Sequence, residues 1–235
     1  MNIINLLNSL KFRLIRLIES SPSLNILIYN NISLFKVFLP HEKDYYGITS
    51  LLKNRINDSI IDVGGNLGIS SMGFRKLGFV NKIYTFEPNR FIFNTYIKNK
   101  LVKKYKNIYG FNYALGNKDE LKNFYYPYYK GKCIHYFCSF DKKYIQNSIN
   151  ITFKKKKIDI IDNPIKIKIF DKLKLKCRPK FVKIDVEGFD LEVIKGMRST
   201  IKRYNPIILV EFNKSNFFQI KKILNNHNAW VYYYE

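Results

Sequence analysis

Length, composition and charge bound the architecture before any motif is considered. A length of 235 residues fits one α/β domain with an N-terminal extension and leaves little room for a second independent core. Lys and Arg number 41 against 18 acidic residues, a net charge of +23, which attracts polyanions and anionic membrane surfaces non-specifically. The same excess also fits a coding bias, because Lys, Ile and Asn are abundant throughout the chain.

The cysteines indicate the compartment. Cys133, Cys138 and Cys177 are an odd number and contain no Cys-x-x-Cys pair. This pattern favours reduced thiols over a disulfide framework or a zinc site. We therefore expect a cytoplasmic protein without structural zinc or disulfides.

The first 57 residues are predicted to form a helical extension, with breaks at residues 20–23 and 30–31. Residues 1–18 lack a small-residue cleavage signal and are too interrupted to span a bilayer, which favours an amphipathic helix. Such a helix packs on its own domain or on a second subunit, and the alternative is peripheral membrane contact through residues 1–40. The oligomeric state is left open. The apolar and basic side chains of this helix are Leu6, Leu7, Leu10, Leu14, Leu17, Lys11, Arg13 and Arg16.

From residue 58 to residue 235, apolar strands alternate with helical patterns, which predicts one α/β domain. Repeated strand–helix–strand units imply a parallel sheet with right-handed crossovers and helices on both faces. Between about residues 117 and 178 the alternation stops, and short apolar runs at 124–129, 134–140, 149–153 and 165–170 predict a β-rich insertion. The predicted core strands are 59–63, 82–86, 107–113, 181–185, 207–212 and 230–234, and the predicted helices are 68–77, 89–103, 191–204 and 217–225.

A glycine-rich turn joins the first predicted strand to the next helix. Its glycines let a ligand approach the backbone closely, beside the free N–H groups of a helix N-terminus. A dinucleotide fingerprint requires glycine where the chain has Val63, and the carboxylate of Asp62 would repel a pyrophosphate but attract the cationic amino group of a methionine. We therefore expect S-adenosylmethionine, and the alternative is a turn without a ligand. The candidate residues are Asp62, Gly64, Gly65, Asn66 and Gly68.

An acid and a proline follow the second predicted strand. Glu87 can accept both ribose hydroxyls, as acids at this position do in dinucleotide folds, so it supports an adenosine ligand without identifying the cofactor. Pro88 is expected to start the next helix. Glu87 alternatively caps that helix, and the two roles are compatible.

Two further strands end in acidic residues. The fourth predicted strand closes with Lys183, Asp185 and Glu187, and we expect it beside the first strand, at the crevice where open α/β sheets bind ligands. Alternation with a period of two places these side chains on one side if the strand stays extended. Glu211 ends the next strand, where it either faces the same crevice or is a surface acid. We interpret Asp185 and Glu187 as hydrogen-bond acceptor or base, with Lys183 tuning their charge.

In the order of these motifs the chain resembles the FkbM-type methyltransferases. The resemblance covers about residues 58–212, and the first and fourth motifs together are specific. It implies a class I Rossmann-like fold and S-adenosylmethionine-dependent O-methylation of a sugar, a glycolipid or a natural-product-like hydroxyl compound. The matching segments are DVGGNLG at 62–68, FEP at 86–88, ALG at 114–116, KIDVEGF at 183–189 and VE at 210–211.

The resemblance also implies roles for individual residues. Glu87, followed by Pro88, would hold the ribose, and Asp185 would lie near the methyl group. The family commonly has alanine where this chain has Gly65, and class I enzymes usually finish with an antiparallel strand pair, whereas one strand is predicted here. The methionine part would be held by Asp62, Gly64, Asn66 and Gly68, and the adenine would lie beside the turn formed by Asn112, Ala114 and Leu115.

The acceptor and two alternative functions are less constrained. A nucleic-acid 2′-O-methyltransferase would explain the net charge of +23, but such enzymes spread a Lys-Asp-Lys-Glu set over separate strands. A basic binding module without catalysis would not need the intact turn.

No dedicated metal ligand set is present, and a divalent cation on the same carboxylates is left open. Aromatic residues of the insertion suit a substrate wall, although aromatic strands more often form core; they are Tyr125, Tyr126, Tyr128, Tyr129, Tyr136 and Phe137.

Overall fold

A computed structural model describes residues 21–31, 58–153, 156–211, 216–224 and 231–232, so the predicted helix over residues 1–18 lies outside the described part. The helices are α1 (Pro22–Asn31), α2 (Ile69–Lys76), α3 (Arg90–Ile92, continued by a π-helix over Phe93–Val102), α4 (Lys142–Thr152), α5 (Asp190–Gly196), α6 (Arg198–Tyr204) and α7 (Phe217–Leu224). The strands are β1 (Asp58–Val63), β2 (Lys82–Phe86), β3 (Ile108–Phe111), β4 (Ala114–Leu115), β5 (Glu120–Tyr129), β6 (Lys132–Cys133), β7 (Asp159–Lys168), β8 (Arg178–Ile184), β9 (Ile207–Val210) and β10 (Val231–Tyr232). None of the described helices combines the length and apolar composition needed to cross a membrane.

The central sheet has six strands in the order β3-β2-β1-β8-β9-β10, and each neighbouring pair is parallel. The chain order reverses at β1, which lies between β2 and β8, so the ligand crevice expected at such a switch point falls there. The Rossmann-like α/β fold and the position of the fourth core strand beside the first are therefore confirmed. At the other edge, β10 pairs parallel with β9.

Helices cover both faces of this sheet because successive strand residues point in opposite directions. Val182 of β8 is fully buried in a cluster that includes α5 residues such as Ile194. Its neighbour Phe181 points the other way, and its ring meets that of Phe74 from α2 with 5.4 Å between centroids. Strands buried on both sides explain why the sequence shows continuous apolar runs rather than alternation.

The described residues fall into two compact units. The sheet unit comprises 58–122, 164–211, 216–224 and 231–232, and the small unit comprises 21–31, 123–153 and 156–163. In the sheet unit, β4 pairs parallel with the end of β7 at residues 167–168, and in the small unit, β5 pairs antiparallel with β6.

The small unit contains three of the four strand predictions that fall in the insertion, and two of these three are partly or wholly wrong. Residues 134–140 form a 3₁₀ turn at His135–Phe137, and residues 149–153 end α4. In α4, the buried side chains of Ile145 and Ile149, with Phe153 just beyond, recur every four residues, which is helical spacing. Runs 124–129 and 165–168 do lie in strands, within β5 and β7.

The wrong strand assignments in the small unit have a common cause: isoleucine and phenylalanine favour strands, but tertiary packing of an amphipathic helix overrides that propensity. In the sheet unit, the helix predicted over 191–204 is divided in two at Met197, whose φ and ψ are −114° and 10°. The resulting helices, α5 and α6, both contribute to the core beneath β8 and β9.

Candidate active site

The carboxyl ends of β2, β1, β8 and β9 lie side by side in the sheet unit. The N–H of Gly64 donates to the Phe86 carbonyl at 3.0 Å, and the N–H of Asp185 donates to the Val63 carbonyl at 3.1 Å, so the segments after these strands are fixed against each other. The N–H of Glu211 likewise donates to the carbonyl of the last β8 residue at 3.1 Å. This edge brings together Asp62, Gly64, Gly65, Asn66, Gly68, Glu87, Lys183, Asp185, Glu187 and Glu211.

The glycine-rich turn has a left-handed backbone at three positions, with φ of +80° at Gly64, +45° at Asn66 and +77° at Gly68. A Cβ on Gly64 would collide with the carbonyl oxygen of Asp185. Glycine is thus required at position 64 for the close approach of the segments after β1 and β8. The turn then enters α2 directly, because the N–H of Met72 donates to the Gly68 carbonyl at 3.0 Å.

Packing explains why position 65 carries glycine. A Cβ at this position would meet the Oγ1 atom of Thr85, on the neighbouring strand β2. That hydroxyl is buried and has no hydrogen-bond partner among the described residues. The threonine therefore occupies the space that the usual alanine would need.

Asp62 lies beneath the turn rather than on its surface. Its side chain is 0% exposed, and Oδ2 accepts a 2.5 Å hydrogen bond from the Ser71 hydroxyl of α2. Burial raises the pKa of the Asp62 carboxyl, while the Lys183 ammonium and the Ser71 hydroxyl oppose that rise. The Asp62 carboxylate is therefore out of contact with solvent. Its charge would attract a cationic ligand through the intervening residues of the turn.

Glu87 connects the turn to the segment after β2. Its Oε2 accepts from the N–H of Asn66 at 2.8 Å, and its Oε1 accepts from the N–H of Asn89 at 2.7 Å. Burial raises the pKa of Glu87 to about 7, although these two hydrogen bonds oppose the rise. The helix cap predicted as an alternative role belongs to Asn89, whose side chain accepts from the first-turn N–H groups of α3. Pro88 precedes that cap, so the prediction that Pro88 starts the helix is wrong by two residues.

The predicted adenine-side residues divide between two environments. Asn112 follows β3, and its Nδ2 donates to the carbonyls of Glu87 and Pro88 at 2.9 and 3.1 Å. Ala114 and Leu115 form β4 and are 6% and 2% exposed. Asn112 therefore belongs to the same edge as Glu87, whereas the Leu115 side chain is part of the core.

Three carboxylates gather after β8 and β9. Oxygen atoms of Asp185, Glu187 and Glu211 lie within 4.8 Å of one another, a grouping that could hold a divalent cation. The Lys183 Nζ lies 2.9 Å from Asp185 Oδ2 and already supplies a positive charge there. Burial, followed by the charges of Glu187, Asp185 and the neighbouring Asp190, raises the pKa of Glu211 to about 8.

Asp185 and Glu187 lie close together for a different reason from the one predicted. β8 ends at Ile184, and Glu187 has a φ of +51° in the turn that follows, so the strand does not stay extended. A turn therefore brings Glu187 beside Asp185, and period-two alternation is the wrong reason for their proximity. Glu211 lies with Asp185 and Glu187. This position fits the predicted alternative in which Glu211 faces the crevice.

Comparison with known proteins matches residues 62–233 to the methyltransferase FkbM domain. The matched range begins at Asp62 and contains the turn, Glu87 and the three carboxylates. The chain belongs to the FkbM methyltransferase family. A crystal structure of methyltransferase FkbM from Methylobacillus flagellatus KT is similar at 16% identity and a TM-score of 0.48, covering 78% of this chain and 44% of that one. No curated protein matches the chain.

This member of the FkbM methyltransferase family has a further buried acid that sequence reasoning missed. Asp190, the first residue of α5, is 0% exposed, and its Oδ1 accepts from the N–H of Val186 at 3.3 Å. Its Oδ2 is buried and has no partner in the described part of the chain. Burial and the Asp185 charge raise the pKa of Asp190 to about 6. In the sequence, the position of Asp190 directly after the KIDVEGF segment, where a helix begins, is the feature that could have indicated it.

The residues present fit a cationic adenosyl ligand. Asp62 Oδ1 is a buried acceptor without a partner among the described residues, and the acids around it interact with the single charge of Lys183. Such a field favours a cation and disfavours a phosphate. The turn itself adds little preference, because the N–H groups of Gly64, Gly65, Asn66 and Gly68 already donate to acceptors within the protein.

Three of the six aromatic residues predicted to form a substrate wall pack against the core of the small unit. Tyr125, Tyr129 and Phe137 are partly buried against its cluster, so for these three the alternative of a packing role fits. Tyr126 and Tyr128 are half-buried, and the side chain of Tyr136 lies outside the described part.

Proposed function

We propose that the chain is an S-adenosylmethionine-dependent O-methyltransferase that acts on a hydroxyl of a sugar, a glycolipid or a natural-product-like molecule. The observation that carries this proposal is the concentration of acids at the switch point of a basic protein. Six of the 18 acidic residues lie there, although the net charge is +23. The carboxylates of this group that are ionised at neutral pH attract a sulfonium and an ammonium group. The six are Asp62, Glu87, Asp185, Glu187, Asp190 and Glu211.

The turn and Glu87 would hold the two ends of the cofactor. Each Glu87 oxygen accepts one backbone N–H and retains a lone pair, so the pair can accept both ribose hydroxyls. The start of α2 offers N–H donors and a positive dipole end to the methionine carboxylate. When bound, the cofactor supplies a methyl group on a sulfonium, whose sulfur leaves as a neutral thioether.

The carboxylate cluster would receive the proton of the acceptor hydroxyl. With a pKa of about 8, Glu211 would be mostly protonated at neutral pH and could donate a hydrogen bond to a neighbouring carboxylate. Asp185 or Glu187 is then left as the acceptor, and Lys183 holds the Asp185 carboxylate in place. Proton-transfer assistance of this kind contributes about 10²- to 10⁴-fold to a rate, and alignment of the reactants supplies much of the remainder.

Cofactor binding is tested by calorimetric titration with S-adenosylhomocysteine. Glu87→Gln replaces one acceptor oxygen with an amide that opposes a backbone N–H, so we expect at least about tenfold weaker binding. Glu120→Gln makes the same chemical change at an exposed position of β5 and should bind as the unmodified chain does. If the unmodified chain shows neither heat nor thermal stabilisation, the basic binding module replaces this proposal.

Catalysis is tested by transfer of a labelled methyl group into a cell extract, followed by identification of the labelled compound class. Asp185→Asn should lower the rate about 10²-fold while S-adenosylhomocysteine affinity changes less than about threefold, because the amide cannot accept the proton. Asp159→Asn, at an exposed position of β7, is the matched control. An Asp185→Asn variant with unchanged rate and affinity would remove the assigned role.

A further inference from the structure

Three side chains with metal-binding atoms come together in the small unit, on the segment CIHYFC. Cys133 ends β6, His135 opens the following 3₁₀ turn, and Cys138 comes directly after that turn. The two sulfur atoms and an imidazole nitrogen lie within 4.8 Å of one another. Cys138 is buried, and the other two side chains are half-buried.

The separation of the two sulfur atoms fits a shared metal ion. Cys133 Sγ lies 3.8 Å from Cys138 Sγ, far beyond the bond length of about 2.0 Å in a disulfide. Two thiolates bound to a tetrahedral zinc ion at about 2.3 Å each lie about 3.8 Å apart. The sulfur atoms are therefore already spaced as zinc ligands.

Backbone hydrogen bonds and a buried side chain fix the shape of this segment. Tyr128 pairs antiparallel with Cys133, and the N–H of Ile134 donates to the Pro127 carbonyl at 2.8 Å. Ile134 lies between the first two candidate ligands in sequence and is fully buried in the hydrophobic cluster of the small unit. A site with preset ligand positions loses little conformational entropy when a metal binds.

We propose that Cys133, His135 and Cys138 form a zinc site, with the fourth tetrahedral position taken by water or an external ligand. Two thiolates and one imidazole are the ligand set that zinc prefers over magnesium and calcium, which bind oxygen. The ion links the end of β6 to the residue after the 3₁₀ turn, so it stabilises the small unit. The absence of a Cys-x-x-Cys pair argues against zinc from the sequence alone, but His135 between the two cysteines supplies a third ligand.

The test uses the full chain, purified under reducing conditions, stripped with a chelator and titrated with zinc chloride or cobalt chloride. We expect about one bound zinc per chain, a thiolate-to-cobalt charge-transfer band, and a higher melting temperature with zinc. Cys133→Ser, His135→Asn and Cys138→Ser should each weaken zinc binding at least about tenfold. Cys177→Ser removes a half-buried thiol of the sheet unit and should bind zinc as the unmodified chain does.

Two results would overturn the zinc site. One is equal zinc affinity in the unmodified chain and in the Cys133→Ser/Cys138→Ser double variant, with both retaining a cooperative melting transition. The other is a Cys133–Cys138 disulfide that persists in reducing buffer. Binding of S-adenosylhomocysteine involves the sheet unit and is measured separately, so failure of the zinc site and failure of the proposed methyltransferase function are distinguishable.

Discussion

At the scale of single residues, Glu211 links the candidate site to pH. Its folded-state pKa of about 8 exceeds the ordinary value of 4.5 because of burial and the neighbouring carboxylates. The folded chain therefore binds a proton more tightly than the unfolded chain does. The resulting stabilisation is fully present below pH 4.5 and is lost as the pH rises to about 8.

Glu211→Gln should remove this dependence, because the amide cannot ionise. The free energy of unfolding of the variant should exceed that of the unmodified chain increasingly between pH 5 and pH 8. Since Glu211 is only partly buried, solvent screening keeps the slope below the one-proton limit of about 1.4 kcal/mol per pH unit. Urea unfolding at several pH values measures the difference, with exposed Glu120→Gln as control. A difference that does not vary with pH would contradict the argument.

Gly64 carries the closest backbone approach at the switch point. Gly64→Ala adds a left-handed alanine, costing about 1–2 kcal/mol, and a collision with the Asp185 carbonyl, costing about 1–3 kcal/mol more. Gly78→Ala makes the same change at a φ of +92° with no atom within 4 Å of the new Cβ, so it isolates the backbone cost. We expect Gly64→Ala to lose clearly more unfolding free energy and also S-adenosylhomocysteine binding. Equal losses in the two variants would show that the collision is relieved without cost.

The sequence identified the residues of the site better than it identified their contacts. The turn and Glu87 were predictable because glycines at a strand end and acids after strands report backbone position directly. The turn that carries Glu187 depends on a left-handed backbone at a non-glycine residue, which composition does not reveal. Asp190 was missed because a single acid at a helix start also fits an ordinary first-turn residue.

At the scale of secondary structure, the predictions are most accurate for the central strands, which are buried on both faces. The central strands are apolar on both faces, and the predicted bounds of β2 match the structure. In the small unit, the apolar run at 149–153 taken alone predicts a strand, whereas the spacing of the buried isoleucines over the longer segment is helical. Asp141, directly before α4, is a helix start signal in the sequence.

Asp141 should stabilise α4 as its N-cap. Its Oδ1 accepts from the N–H groups of Lys143 and Tyr144 at 2.8 and 3.1 Å. Asp141→Ala should cost about 1 kcal/mol, which is about a fivefold faster amide exchange across residues 142–152. Asp141→Asn keeps an acceptor oxygen and should exchange nearly as the unmodified chain does. Hydrogen exchange followed by mass spectrometry measures both, and unchanged exchange in Asp141→Ala would exclude a capping role.

At the scale of the whole molecule, the net charge is positive, whereas the candidate site is rich in acidic residues. The chain carries +23, yet a third of its acids lie at one edge of the sheet unit. A basic surface binds nucleic acid through counterion release, regardless of what the site accepts. Binding to RNA is therefore a poor indicator of function here, and the product of methyl transfer is the informative measurement.

We expect RNA binding and S-adenosylhomocysteine binding to respond differently as salt is raised. Affinity for a labelled single-stranded RNA should fall at least about tenfold between 50 and 200 mM salt, because each neutralised phosphate releases a counterion. Affinity for S-adenosylhomocysteine should change less than about twofold, because the buried acids Asp62 and Glu87 are screened little by salt. Heparin, a polyanion without ribose, should compete with RNA but not with S-adenosylhomocysteine. Incorporation of labelled methyl groups into RNA, steepest at low salt, would instead establish the nucleic-acid methyltransferase.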